Sequence, residues 1–405
     1  MSGHPRVARV ITRLNIGGPA IQAIDLSRQL TAAGFHTCLI HGRLAAGEGD
    51  MTSLMSVADI ETVFVNDLVR PLMPFNDARA IWKLFRLFCS LRPAIVHTHM
   101  AKAGTTGRLA AILYNATYGR RRKARLVHTY HGHVFEGYFS GAGTRFFLAV
   151  EKWLGRRTDT LIAISAQVRH DIVSTYAIGQ DSQIKLVRLG FDLHRLLGIT
   201  ESDRTAARAL LAIPPDAVVV TTVGRLTAIK QHTVFLRMAA QLLEKSGGYE
   251  FLIVGDGELR PELEAEAAAL SVAPQVRFLG WRGDLEHVYG ATDIFVLTSR
   301  NEGTPVALIE AMAAGVPSVS TDVGGVRDVI ADQQLGTLVP SGEPNGLAAA
   351  VAALASSRDT RTQMGLAARA FVAERFDRER LVKEISDLYW HLLGNRTNIS
   401  GTLDP

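Results

Sequence analysis

Cysteine is nearly absent from this chain: 405 residues hold two, Cys38 and Cys89. Each stands in an apolar run without a partner at ligand spacing, so they read as structural free thiols of a reducing compartment rather than a disulfide. Long hydrophobic runs are missing too. None approaches the ~18–20 apolar residues that span a bilayer, and Met1–Arg9 lacks the apolar centre of a signal peptide. The expectation is a cytoplasmic protein, at most peripheral at the inner face of a membrane. Three motifs are also lacking. There is no GxGxxG dinucleotide fingerprint, which argues against a hydride-transferring dehydrogenase. No GKS/T ending makes a P-loop, and no DxD pair offers a metal site. Nucleic-acid binding has only charge in its favour, with no supporting motif.

What is present points to large cores. Hydrophobic residues make up 47% and charged residues 20%, which excludes a disordered chain and suits two or three domains. Charge is divided unevenly. Residues 1–190 carry 24 Lys and Arg against 12 Asp and Glu, whereas the remainder carries 20 against 27. A basic half joined to an acidic half predicts two domains with different partners, the first preferring anions.

Strands and helices alternate along both halves. Strands are expected at Val7–Leu14, His36–His41, Asp59–Val65, Ala94–Thr98, Arg125–Tyr130, Thr160–Ile164 and Ile184–Arg188, with helices between them. The polar stretch Asp192–Ser202 reads as a linker. Alternation then restarts with a strand at Ala217–Val223 and a helix at Ile229–Ser246, and the chain ends on the amphipathic helix Arg378–Leu393. This order predicts an α/β protein of two doubly wound parallel sheets facing a cleft, with ligands at the carboxyl ends of strands. The domains are placed at residues 1–191, with the last helix (about 377–393) added, and 203–376.

Several loops after strands could carry chemistry. Gly17-Gly18 would let a backbone approach a phosphate, or be only a tight turn. Arg225 and Lys230 share one loop and suit a diphosphate, or are two solvated cations. Gly255-Asp256-Gly257 reads as a turn. Trp281-Arg282 could edge a nucleobase, or plug a core. Five histidines, His97, His99, His128, His131 and His133, cluster at two strand ends. A metal is disfavoured there because no acid is spaced with them. His131, where a strand becomes a loop, is the preferred substrate contact. Ser299–Pro317 is the most informative stretch. Its loop carries Glu302 and passes into an apolar helix starting at Thr304 or Pro305 and ending at Gly315. Glu310 is that helix's lone acid, expected to be semi-buried and paired. The basic apolar helix Ala80–Phe88 and the run Arg120-Arg121-Arg122-Lys123 suit an anionic membrane surface, or a packed helix and a solvated loop.

Together these residues resemble a retaining glycosyltransferase of family 4 with the GT-B fold, of the subtype found in bacterial capsule, exopolysaccharide or O-antigen assembly. The resemblance covers almost the whole chain. It is carried by the Glu302–Glu310 pair, by Arg225 with Lys230, and by Thr12–Pro19, His97–Gly104 and Thr129–Phe135. It implies a hexosyltransferase that uses a nucleotide-sugar donor, UDP-linked by default, and a glycan or lipid-diphosphate-linked acceptor, with no cofactor and no metal. Glu310 would hold the ribose hydroxyls. Glu302 with the amides around Gly303, Thr304 and Pro305 would hold the transferred sugar. Arg225 and Lys230 would neutralise the diphosphate, helped by Gly17 and Gly18; Trp281 and Arg282 would edge the base; His131 would touch the sugar near the reacting carbon. His99, Lys102, Tyr130 and His133 are acceptor-side candidates. One departure is Gly324-Gly325-Val326-Arg327-Asp328, where the family often has Pro-Glu after the glycines. Open alternatives are a non-catalytic sugar-nucleotide-binding subunit of a polysaccharide assembly complex, and an epimerase or phosphorylase on the same fold.

Overall fold

Parallel strands covered on both faces need unbroken apolar runs. The computed structural model, which describes residues 4–45, 48–53, 55–132 and 141–394, shows where those runs go. β1 (Arg6–Arg13) is buried from Val7 onward. α1 (Gly18–Ala32), β2 (His36–Gly42), β3 (Glu61–Phe64), α2 (Pro74–Leu91), β4 (Ile95–His99), α3 (Ala101–Ala116), β5 (Arg125–Tyr130), α4 (Gly141–Gly155), β6 (Thr160–Ala163), α5 (Ala166–His170) and β7 (Ile184–Leu186) follow. They form a seven-stranded parallel sheet in the order β3-β2-β1-β4-β5-β6-β7. Chain order reverses between β1 and β4, where Arg9 pairs with His97 and Ile11 with His99 in register. A crevice at the carboxyl ends of such neighbours is where doubly wound sheets take ligands.

The second unit spans Phe191–Asp377. It opens with α6 (His194–Leu197) and α7 (Glu201–Leu210), where a linker was expected. The polar residues there cap rather than connect. Thr200 Oγ1 accepts from the Asp203 amide and the Asp203 carboxylate accepts from the Thr200 amide, a reciprocal capping box. β8 (Val218–Val223), α8 (His232–Lys245), β9 (Tyr249–Val254), α9 (Arg260–Ala269), β10 (Val276–Gly280), α10 (Leu285–Ala291), β11 (Ile294–Leu297), α11 (Val306–Ala313), β12 (Ser318–Thr321), β13 (Thr337–Val339), α12 (Pro344–Ala355) and α13 (Arg358–Arg375) complete it. The parallel sheet runs β10-β9-β8-β11-β12-β13, so its order reverses at β8 and β11. α8 starts later than the apolar pattern suggested. Ala228–Lys230 forms a 3-10 turn and Gln231 takes a left-handed φ of 47°, which ends that turn before the helix begins.

The last helix, α14 (Arg378–Leu392), belongs to the first unit. Leu381, Ile385 and Tyr389 recur every fourth residue and so lie on one face. They are buried with Val7, Leu30, Phe35 and Val127. The Phe35 and Tyr389 rings meet edge to face at 5.4 Å. Each such side chain contributes about 1.5–3 kcal/mol of burial, which holds the helix there.

Candidate active site

In the second unit, the loops after β8 and β11 lie side by side because their strands are neighbours. Thr298 Oγ1 donates to the Lys230 carbonyl at 2.8 Å, and the Arg300 amide to the Ile229 carbonyl at 2.8 Å. This joins the stretch carrying Arg225 and Lys230 to the stretch carrying Glu302. Lys230 Nζ then donates to Glu302 Oε1 at 2.6 Å, and Ser299 Oγ donates to the same oxygen at 2.6 Å. Glu302 is buried at 8% exposure. Its backbone is held from the other side, where the Gly325 amide donates to the Glu302 carbonyl at 2.9 Å. A Cβ on Gly324, whose φ is +49°, would overlap that carbonyl. The glycine pair thus seats Glu302, and the departure after it (Val326-Arg327-Asp328) lies outside this contact.

The Gly255-Asp256-Gly257 turn also has work to do. The Leu226 amide donates to the Asp256 carbonyl at 3.0 Å, and the Leu259 amide to the Leu226 carbonyl at 3.1 Å. A Cβ on Gly255 or Gly257 would strike the Gly224 or Leu226 backbone. The turn braces the loop and presents Arg225. That guanidinium is half-buried and has no side-chain partner among the described residues.

Glu310 sits on α11, whose N-cap is Pro305 with no side-chain cap. The cap falls later than the threonine start considered above, so Gly303 and Thr304 are loop. Gly315 takes φ +72° beyond the helix end, as expected. Tyr289 OH lies 3.0 Å from Glu310 Oε2 and 3.1 Å from the Ala307 carbonyl, and donates to this pair. Burial against apolar neighbours pushes the Glu310 carboxyl up to about 7, and the Tyr289 hydroxyl only partly opposes this. Trp281 follows β10 and is 40% exposed, which rules out a core plug. It lies at the end of the edge strand, two strands from β8. Arg282 is chelated by Asp284 in its own loop.

In the first unit, Gly17 holds φ 155° and ψ 164° directly before α1, which begins at Gly18 with Pro19 in its first turn. A Cβ on Gly17 would meet only Pro19 Cδ at 4.0 Å. The backbone conformation, not crowding, favours glycine there. Across the sheet, His97 and His99 are fully buried. His99 Nδ1 and His131 Nε2 are 3.0 Å apart, and Arg9 Nη1 lies 2.9 Å from His99 Nε2. Burial, with the Arg9 cation second, brings His131 down to about 3, so the ring is neutral near pH 7. No group of three or more His, Cys, Asp or Glu side chains among the described residues is arranged to hold a metal.

The other acceptor-side candidates divide. Lys102 Nζ is occupied by the Asp77 carboxylate at 2.5 and 2.6 Å. Tyr130 does not face an acceptor. It is buried, and its hydroxyl donates to Glu151 Oε2 at 2.9 Å, beside the buried Arg108–Glu151 ion pair. Tyr130 is one residue before His131, and alternation along β5 turns it to the opposite face. His133 lies outside the described residues. Sequence reasoning passed over Arg9, Ser299 and Tyr289. Arg9 had a signal, a lone charge inside the apolar run Val7–Ile11.

The chain also resembles known proteins in sequence and fold. The family pattern described as glycosyl transferases group 1 matches residues 203–371, and that of glycosyltransferase family 4 matches residues 16–195. The chain is 27% identical over 343 residues to the UDP-Gal:alpha-D-GlcNAc-diphosphoundecaprenol alpha-1,3-galactosyltransferase of Escherichia coli, covering 83% of this chain and 85% of that one. It is 30% identical over 309 residues to the D-inositol 3-phosphate glycosyltransferase of Corynebacterium urealyticum, covering 73% and 70%. The crystal structure of Anabaena HepE in complex with UDP and glucose superposes with a TM-score of 0.80 at 21% identity, over 95% of this chain and 99% of that one. Two Rossmann-like units, two family patterns that between them take in most of the chain, and a relative at this identity lead to one statement: the chain is an enzyme of glycosyltransferase family 4, with the GT-B fold.

Proposed function

We propose that this enzyme moves a hexosyl group from a nucleoside diphosphate sugar, UDP-linked by default, to a glycan or lipid-diphosphate-linked acceptor in cell-surface polysaccharide assembly, with retention at the anomeric carbon. One observation carries the reading. An unpaired Arg225 and the Lys230–Glu302 pair gather on the loops that follow β8 and β11, at the switch point of the second sheet, and Glu310 follows on α11. The relatives lend support: the E. coli protein is named for UDP-Gal and a diphosphoundecaprenol-linked acceptor, and the Anabaena structure holds UDP and glucose.

The chemistry follows from charge. As the bond between the anomeric carbon and the diphosphate oxygen breaks, negative charge grows on the phosphate. Arg225 and Lys230 stabilise it where it develops, which is what metal-independent transfer requires. The acceptor hydroxyl attacks from the same face, and its proton passes to the leaving phosphate oxygen. No carboxylate nucleophile is needed. Glu302 clamps the sugar and Glu310 accepts from the ribose hydroxyls, while His131 contacts the sugar.

A cytoplasmic enzyme peripheral to the membrane suits a lipid-linked acceptor. Among the described residues no helix is long and apolar enough to cross a membrane. On α2 and its surroundings Phe75 and Trp82 are exposed, at 88% and 56%. The basic run Arg120–Lys123 follows α3. Such a surface would bind anionic vesicles in a salt-sensitive way.

The test is a donor screen that follows nucleoside diphosphate release, with and without lipid extract, on the wild type and Lys230→Ala. Release by the wild type and none by the variant supports the reading. Equal release by both overturns it.

A further inference from the structure

We propose that Arg9 and His99 are positioning residues that fix His131 as a hydrogen-bond donor through Nδ1, directed at a hydroxyl or phosphate oxygen of the substrate. This rests on the reading of His131 as a substrate contact.

The inference starts from an arginine that has no acid. Arg9 on β1 is fully buried, and it forms no ion pair among the described residues. Its surroundings are two imidazoles and a phenol. Nη1 lies 2.9 Å from His99 Nε2 and 3.4 Å from His97 Nδ1, and Nη2 donates to Tyr389 OH at 3.2 Å. A guanidinium has donors and no acceptor, so each atom facing it must accept.

That one constraint settles the protons around it. His99 Nε2 presents a lone pair to Arg9, so the neutral ring carries its proton on Nδ1. His99 Nδ1 then donates to His131 Nε2 at 3.0 Å. His131 Nε2 accepts, which leaves its proton on Nδ1. The second branch closes in the same way. Tyr389 OH accepts from Arg9 and donates to His97 Nδ1 at 2.6 Å, and His97 Nε2 donates to Thr129 Oγ1 at 2.7 Å. Along both branches each ring nitrogen has a partner except one. His131 Nδ1 is buried and unpaired among the described residues.

The framework is rigid where the relay needs it. Arg9 and His97 are register partners on β1 and β4, with Ile11 and His99 the next pair on that face. The His97 and His99 rings stack at 4.3 Å. Met100, directly after His99, holds φ 68° and ψ 160°, a region close to exclusive to glycine. Such strain persists only where packing enforces it, and Met100 packs against the Ile11 and Leu14 cluster. Burial, and after it the Arg9 charge among others, disfavours a second proton on His97, His99 and His131. A buried N–H with nothing to bond weakens a fold, so its retention at a strand end points to a ligand oxygen. The same tautomer has a chemical consequence: with Nε2 occupied and Nδ1 protonated, His131 binds its oxygen and cannot take a proton from it.

Nitrogen NMR decides the matter. Long-range proton–nitrogen correlation spectra of the full chain labelled with ¹⁵N-histidine report each tautomer, and His131 is identified by the signals lost in His131→Gln. The expected result is the Nδ1–H form, persisting down to about pH 5, well above where the ring protonates. Arg9→Met should mix the tautomers and lower kcat by roughly ten- to a hundredfold, with KM nearly unchanged, as when a partner that orients a site imidazole is removed. Arg9→Lys keeps a pure donor and should restore both readouts. An Nε2–H or doubly protonated His131 in the wild type overturns the proposal, as does an Arg9→Met enzyme with the tautomer and kcat unchanged. Should Arg9→Met fail to fold by circular dichroism, the wild-type spectrum decides alone. Full kcat in His131→Gln would instead remove the substrate-contact reading, while the spectrum still scores the relay.

Discussion

Lys230 and Glu302 lie 72 residues apart in sequence and 2.6 Å apart in space. The same carboxylate oxygen also accepts from Ser299, so Glu302 holds the lysine and is itself held. The expected roles, a cation for the diphosphate and a clamp for the sugar, therefore act as one unit. Lys230→Ala removes a donor from a site that develops negative charge, and kcat/KM should fall at least about a hundredfold. Stability should fall by only about 1–2 kcal/mol, because the pair is partly open and Ser299 still serves Glu302. Transfer assays alongside thermal unfolding check both numbers. Glu302→Gln combined with Lys230→Ala should lose much less than the sum of the two losses, because the two side chains act as one group.

Arg225 gives the opposite contrast. Its side chain has no partner among the described residues, so the fold does not depend on its charge. Arg225→Gln is expected to leave the melting temperature within about 1 °C while kcat/KM drops on the order of a hundredfold. Arg225→Lys should recover only part of that, because a point charge replaces a fork. Calorimetry and donor titrations on the same preparations separate the two effects. A melting temperature that fell along with activity would place Arg225 in the scaffold.

The alternation of strands and helices was legible because parallel strands leave unbroken apolar runs. The acids and cations of the second unit were legible because charged residues are conspicuous in loops that end such runs. What stayed hidden depends on strand order. Nothing local says that β8 neighbours β11 or that β1 neighbours β4, and it is those pairings that bring Lys230 to Glu302 and Arg9 to His99. Two misses were avoidable. Thr200-x-x-Asp203 spelled a capping box inside the supposed linker. Strand alternation placed Tyr130 on the face opposite His131.

That buried face makes its own prediction. Arg108 and Glu151 are both essentially inaccessible, and Glu151 also accepts from Tyr130. Glu151→Ala leaves a guanidinium buried without its carboxylate and should cost about 3–5 kcal/mol. Urea unfolding, read as a shift in midpoint, measures it. Tyr130→Phe removes one hydrogen bond to the carboxylate, for about 1–2 kcal/mol. It should leave the KM for acceptor unchanged, since the hydroxyl faces the core. A raised acceptor KM in Tyr130→Phe would return Tyr130 to the acceptor side.

Glu310 links the donor site to pH. Its carboxyl is raised from 4.5 to about 7 by burial. A raised carboxyl pKa means that the folded state binds more protons than the unfolded state between those values. Stability from this group is therefore complete below about pH 4.5 and is lost as pH rises through about 7. The difference corresponds to roughly 3 kcal/mol at alkaline pH. Glu310→Gln removes the titration. The variant should be more stable than the wild type at pH 8 and comparable at pH 4.5, where the wild-type carboxyl is also neutral. Subtracting the two stability curves cancels the other carboxylates, and a flat difference across this range would refute the assignment. Catalysis should move the other way. The variant should bind a ribonucleoside diphosphate about tenfold or more weakly at pH 8, because an ionised carboxylate accepts from ribose hydroxyls more strongly than an amide does. Fluorescence titration with UDP at pH 6 and pH 8 measures this, and the wild type should bind more tightly at the higher pH.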